Sequence, residues 1–243
     1  MTTIPIRRRA RDLARETGGL ALLEFALTLP LVLGIGAWGT EMAWLAITNL
    51  RVSQVALNLA DTASRVGVMG NSGITQLREA DINDVLTSAR LQGAALDLTN
   101  RGRITISSLE QLTAGSQYLH WQRCLGKRSG TGYDSTYDRS KGTMDRGDGI
   151  GTDASSAGVA QPDGMGDTSG TKVNAPVGSA VMYIEVSYDY RPIFSAAWVP
   201  GGAAVTRIRY TASYVVRDRR DFTQIYNPNP AATQYFCDLY TAN

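Results

Sequence analysis

With 243 residues and a formal net charge of +2, the chain is long enough for one or two domains with a sizeable core. The net charge is close to neutral, and a nucleic-acid binder would need a basic face on its folded part rather than a local N-terminal cluster, so no nucleic-acid partner is expected. One histidine excludes a two-histidine zinc motif and makes any Ser-His-Asp triad depend on His120 alone. No G-x-S-x-G elbow, phosphate-binding P-loop or dinucleotide fingerprint occurs, so no enzyme, cofactor or metal is expected.

The charge is unevenly spread. Arg7, Arg8, Arg9, Arg11 and Arg15 crowd the first fifteen residues against one acid, Asp12. Residues 1–19 therefore read as a basic cytoplasmic leader. Residues 20–46 read as a transmembrane helix, because only Glu24 and Glu41 are charged there and the run exceeds the roughly 20 residues that cross a hydrocarbon core. The positive-inside rule keeps the arginines in the cytoplasm and sends the rest of the chain outward. Trp38 and Trp44 sit toward the far end, where amphipathic rings favour the interface. Pro30 removes a backbone donor and predicts a kink or a loosened turn, with Thr28 available to satisfy the freed carbonyl. Gly34, Gly36 and Gly39 allow other helices to approach closely. A cleaved secretory signal would have a shorter apolar region; its weak cleavage candidate is Gly34-Ile35-Gly36, and apolar character continues past it through Trp38, Met42, Trp44 and Leu45. Glu24 has two readings on physical grounds. It reaches back to the headgroups or to Arg15, or it awaits a cation from another chain.

Residues 47–66 continue the helix, with Val52, Val55, Ala56, Leu59, Ala63 and Val66 on one stripe and Arg51, Gln54, Asn58, Asp61 and Arg65 on another. Gly67 and the glycine-rich residues 70–73 end it. Residues 74–90 read as a second helix, with Ile74, Leu77, Val85, Leu86 and Ala89 inward and Asp81 and Asp84 outward. Residues 97–102 read as a turn. Residues 103–109 and 117–124 alternate as strands and form a hairpin around Gly115. His120 is expected as a strand residue rather than a base. Residues 126–176 are rich in Gly, Ser, Thr and Asp and read as a flexible surface loop. Its Asp145, Asp148, Asp153, Asp163 and Asp167 do not follow EF-hand spacing. Residues 181–190 alternate as a strand stopped by Arg191-Pro192. Residues 194–200, with Phe194, Trp198 and Val199, either cover the sheet or dip into the membrane surface, and covering the sheet is preferred. Residues 204–216 are the last long strand. Residues 217–221 form a solvated mixed-charge cap, and a loop-like tail follows. Cys124 and Cys237 lack zinc spacing; in an exported domain they are expected to form one disulfide contributing about 3–5 kcal/mol.

The arrangement Gly19, four residues, Glu24-Phe25 and a long apolar helix resembles the leader-processing motif of the tight-adherence (Flp) class of type IV pilins. The Glu-Phe version is similar to the TadE-like pseudopilins. Residues 118–124 (Tyr118-Leu119-His120-Trp121-Gln122-Arg123-Cys124) resemble a strand-plus-cysteine segment of that family, and residues 185–192 and 216–221 resemble its later segments. The resemblance implies cleavage by a prepilin peptidase after Gly19, a new charged terminus at Leu20, and Glu24 as the partner of a neighbouring subunit's terminus that fixes register. It implies as partners the inner membrane, the peptidase, other pilin and pseudopilin subunits and the pilus assembly platform. The expected fold class is α+β: a long N-terminal transmembrane helix continuing into a periplasmic domain (residues 47–243) with a mostly antiparallel sheet of about four strands. The rivals are an unprocessed membrane-anchored binding or scaffolding protein and, last, a secreted enzyme.

Overall fold

The computed structural model describes residues 18–137, 158–166, 170–199 and 207–243. The leader arginines Arg7, Arg8, Arg9, Arg11 and Arg15 lie outside the described residues, as do Asp145, Asp148, Asp153 and Asp167. The chain divides into two compact units, Met1–Ala46 with Pro192–Ala204, and Ile47–Arg191 with Val205–Asn243. The molecule is α+β, with a long apolar N-terminal helix and an antiparallel sheet.

Helix α1 runs Gly18–Ala63. Its residues up to Ala46 belong to the first unit. There the side chains are apolar all round, and the most apolar 18-residue window has a mean hydropathy of 2.0 with none of it buried. A protein core buries one stripe of a helix, whereas a bilayer accepts every side. The helix is long and apolar enough to cross a membrane. It continues through Pro30. The Thr28 hydroxyl donates to the Phe25 carbonyl at 3.2 Å, not to Ala26, the carbonyl whose amide partner Pro30 lacks.

In the second unit the end of α1 becomes one-sided. Val52, Val55, Ala56, Leu59, Ala60 and Ala63 are buried, at the three- and four-residue steps that align one face. Two short strands follow, β1 (Val68–Met69) and β2 (Thr75–Gln76), which pair with each other. Helix α2 (Glu79–Gln92) comes next, then a 3₁₀ turn at Ala94–Leu96 and a one-turn helix α3 (Leu98–Arg101). Two expectations are corrected here. The second helix starts only at Glu79, because Ile74 closes the β1–β2 turn and Leu77 precedes the cap. Residues 98–101 are helical rather than a simple turn, entered through Asp97 in the left-handed conformation (φ 54°).

The main sheet has five strands among the described residues, one more than expected: β3 (Gly102–Thr113), β4 (Ser116–Leu125), β5 (Val159–Ala160), β6 (Ser179–Asp189) and β7 (Arg207–Val215), in the order β5-β4-β3-β6-β7. All neighbours are antiparallel, and Ile106 faces Arg123 on one side and Ile184 on the other. The added strand lies in the stretch expected as a flexible loop. That expectation is corrected for residues 158–166, where Gln117 bonds the Gln161 carbonyl and Met165 is fully buried.

Ala63 and Val66 meet Ile82 and Val85 of α2 and Ile106 and Trp121 of the sheet around one small gap. The apolar core sits at that junction. The opposite sheet face is polar and also buried. Ser135 donates to Glu185, which Arg209 also binds at 2.7 Å. Tyr133 donates to Asp189, which Arg128 binds at 2.6 Å. Residues 128–137 therefore cover this face through charge-assisted bonds, the arrangement that makes buried carboxylates tolerable. Burial, then the neighbouring Glu185, pushes the Tyr183 phenol well up on the same face.

Candidate functional site

The chemistry expected of the chain lies on α1. Gly19, Leu20, Glu24 and Phe25 occupy its first two turns, all exposed. A methyl group at Gly19 would meet nothing within 4 Å, so packing does not require glycine there. Glu24 is exposed on the apolar surface one turn after Leu20, and among the described residues it has no hydrogen-bond or ion-pair partner. Its expected alternative partner, Arg15, lies outside the described residues. In hydrocarbon an unpaired carboxylate costs roughly 2.5–3.5 kcal/mol on insertion scales. Among the described residues the helix thus presents an unpartnered carboxyl group on the surface it would give to lipid or to another helix.

The second acid of the same helix behaves in the opposite way. Glu41 is completely buried. Its carboxylate accepts the backbone N–H of Ile193 at 3.0 Å and of Phe194 at 2.9 Å, all within the first unit. Backbone donors of this kind satisfy the acceptor capacity of a buried carboxylate. The sequence reading missed Glu41, because its partners lie 152 and 153 positions away and contribute only amides, which carry no side-chain signature. Its one sequence signal is an acid inside an apolar run. In the attached segment Phe194 and Trp198 are 54% and 38% exposed.

In the second unit Cys124 and Cys237 are bonded, with Cα atoms 4.8 Å apart across 113 positions. The tail is held beside β4 by further bonds, Cys124 N–H to the Tyr235 carbonyl at 2.8 Å and Gly126 N–H to Thr241 at 2.7 Å. Arg103, fully buried, donates to the carbonyls of Gly126, Cys237 and Leu239 and lies 4.4 Å beneath the Tyr240 ring. These contacts staple the terminus.

His120 occupies a β-bulge, since Ser108 pairs with Trp121 and Leu109 with Leu119. The bulge turns His120 Nδ1 onto Glu110 Oε2 at 2.8 Å, and Ser108 donates to the other oxygen at 2.7 Å. The histidine is orientated by a carboxylate, but the serine hydroxyl points at that carboxylate instead of at the ring, so no nucleophile–base bond exists. Nε2 is buried without a hydrogen-bond partner among the described residues, and His120 lines a cavity of about 10 Å³, room for one water. No group of three or more His, Cys, Asp or Glu able to hold a metal occurs among the described residues. Asp163 is exposed, with Lys172 at 3.8 Å.

Two further charges sit where the sequence pattern does not place them. Asp81, expected outward, is buried and paired with Arg78. Arg220, expected in a solvated cap, is buried and donates to the carbonyls of Ala63, Ser64 and Val66 at 3.4, 3.3 and 2.8 Å. No family model, curated protein or solved structure matches the chain.

Proposed function

We propose that this chain is a TadE-like minor pilin or pseudopilin of a tight-adherence pilus. It sits in the bacterial inner membrane with its N-terminus in the cytoplasm and its C-terminal unit in the periplasm, and enters the fibre after a prepilin peptidase cuts behind Gly19. It acts as a structural subunit, with no catalysis of its own. The observation that carries this reading is Glu24, an exposed carboxylate without a partner among the described residues, on an otherwise apolar helix surface at the fifth position after Gly19. Cleavage there would create a charged amine at Leu20. The amine of a neighbouring copy or related subunit would satisfy Glu24 where lipid cannot, and only at one axial offset. The exposed apolar helix supplies the lateral packing surface, and its one-sided continuation after Ile47 ties that surface to a folded head.

The test is the mass of the protein purified from membranes after co-expression with a prepilin peptidase. A mature chain beginning at Leu20 is expected. An intact Met1 would instead favour an unprocessed anchored scaffolding protein. A released soluble chain beginning near Ala37 would favour a secreted protein. Either result overturns the pilin reading.

A further inference from the structure

We propose that residues 192–199 form a second membrane contact, an aromatic anchor that Glu41 fastens to helix α1 at the outer headgroup level. The partner is the lipid surface itself. The proposal rests on the reading that α1 crosses a membrane, but needs neither cleavage nor a pilus.

The first argument is depth. At 1.5 Å rise per residue, Glu41 lies about 30 Å along the helix from Leu20, which is about the thickness of the hydrocarbon core. If the apolar run enters at Leu20, Glu41 emerges at the far interface.

The second argument is attachment. Glu41 is completely buried and receives the N–H groups of Ile193 and Phe194 at 3.0 and 2.9 Å. These bonds hold the segment beside the helix at that depth.

The third argument is what the segment exposes. Ile193 and Phe194 are more than half exposed, and Trp198 is more than a third exposed. The Phe194 and Trp198 rings lie 5.8 Å apart, tilted 39°. Trp38, three residues before Glu41 on the helix, is 53% exposed. No charged residue occurs between Arg191 and Arg207. The segment that Glu41 holds beside α1 thus exposes uncharged aliphatic and aromatic side chains, and the helix itself exposes Trp38 one turn before Glu41. Tryptophan and its neighbours are favoured at the headgroup boundary, where an apolar ring and a polar edge are both accommodated.

The full chain is reconstituted in vesicles of phosphatidylethanolamine and phosphatidylglycerol, with a nitroxide on one introduced cysteine: Leu31→Cys, Phe194→Cys or Leu112→Cys, the native disulfide being kept. Spin-label relaxation by oxygen, which concentrates in lipid, is compared with relaxation by a water-soluble nickel chelate. The label at position 31 should favour oxygen and the label at 112 nickel. The oxygen-to-nickel ratio at 194 should lie severalfold above that at 112. A water-like ratio at 194 with a lipid-like ratio at 31 overturns the anchor and leaves the transmembrane helix standing. A water-like ratio at 31 overturns both. A label at 194 shielded from both reagents overturns the proposal in favour of a protein partner, including a second copy. Adding Glu41→Ala should shift the 194 label toward the nickel chelate without changing the 31 label; no shift overturns the fastening role.

Discussion

Glu24 and Glu41 have the same side chain on the same helix, yet one is exposed without a partner among the described residues and the other is buried and bonded. The exposed one is the residue to change first. Glu24→Ala should leave membrane insertion intact, because it removes a charge from the span, and should reduce recovery of the chain in sheared pili. Unchanged recovery would remove Glu24 from any register role. In the second unit the residue with most at stake is Glu79, fully buried and paired with an equally buried Arg123, which also lies 4.9 Å from the Phe236 ring centroid. Truncating one partner strands the other charge, so Glu79→Ala is predicted to cost about 3–5 kcal/mol, measured by denaturant unfolding in detergent. A loss below 1 kcal/mol would show that water reaches Arg123. Asp221 gives a pH-dependent case. Burial pushes its carboxyl up, but hydrogen bonds from Thr223 and Tyr226 together outweigh burial and leave it below its ordinary value of 3.8. A depressed folded-state value adds stability above the ordinary value that is lost as pH falls through the folded one. Asp221→Asn should therefore lower stability by a constant amount from neutrality down to about pH 4, with the gap to wild type closing below that. A gap unchanged at pH 2–3 would contradict the assignment.

Among the elements, α1 shows how much a period reveals and where it stops. The buried positions from Val52 to Ala63 were legible because apolar side chains at three- and four-residue steps line one face of a helix and of no other regular element. The start of α2 was not, because Ile74 and Leu77 continue that step by coincidence while their backbones pair elsewhere: Gly70 N–H donates to the Ile74 carbonyl and Tyr226 N–H to the Leu77 carbonyl. The end of α1 depends on a residue of the last segment. Arg220 meets the carbonyl of Ala63, the last residue of α1 and one of the groups a helix end leaves unsatisfied, and those of Ser64 and Val66 just beyond it. Nothing local in the Arg-Asp-Arg-Arg-Asp run distinguishes Arg220 from its neighbours, so its burial could not be read from charge pattern. Arg220→Met keeps the stem and removes the donors. It should cost about 2–3 kcal/mol, with faster amide exchange over residues 60–66 than over β6. Equal exchange in both places would mean that α1 ends without its help. The tail makes a parallel case. The cysteine pair was legible from composition under the expectation of an exported domain, whereas the fully buried Arg103 beneath it was not, since its acceptors are backbone carbonyls. Cys124→Ser with Cys237→Ser should lose about 3–5 kcal/mol in the loop-entropy account, checked by unfolding of oxidised and double-mutant protein side by side. A difference near zero would mean that Arg103 and the backbone bonds already fix the tail.

At the scale of the whole chain, hydropathy separates what lipid can solvate from what a protein core must bury. The change from an apolar surface on every side to an apolar stripe falls near Ala46, where the first unit's share of α1 ends. The antiparallel sheet was legible from alternation in four places. The fifth strand was not, because two residues within a Gly-rich stretch carry no period. The burial of the polar sheet face was not legible either, since alternation implies one wet side, whereas residues 128–137 bury it with Ser135, Tyr133 and Arg128. The folding core so described, from Val52 and Leu59 through Ile82 and Leu86 to Ile104, Ile184 and Ile208, lies wholly within the second unit. So do the Glu79–Arg123 pair and the disulfide. A fragment beginning at Ile47 should therefore show sheet-rich circular dichroism. It should unfold in one cooperative transition with Cys124 and Cys237 still bonded. Its residues 192–199 lose the Glu41 carboxylate, so exchange there should be fast while β3 and β6 stay protected. A fragment that unfolds without a transition would show that the helix before Ile47 is needed to fold the head.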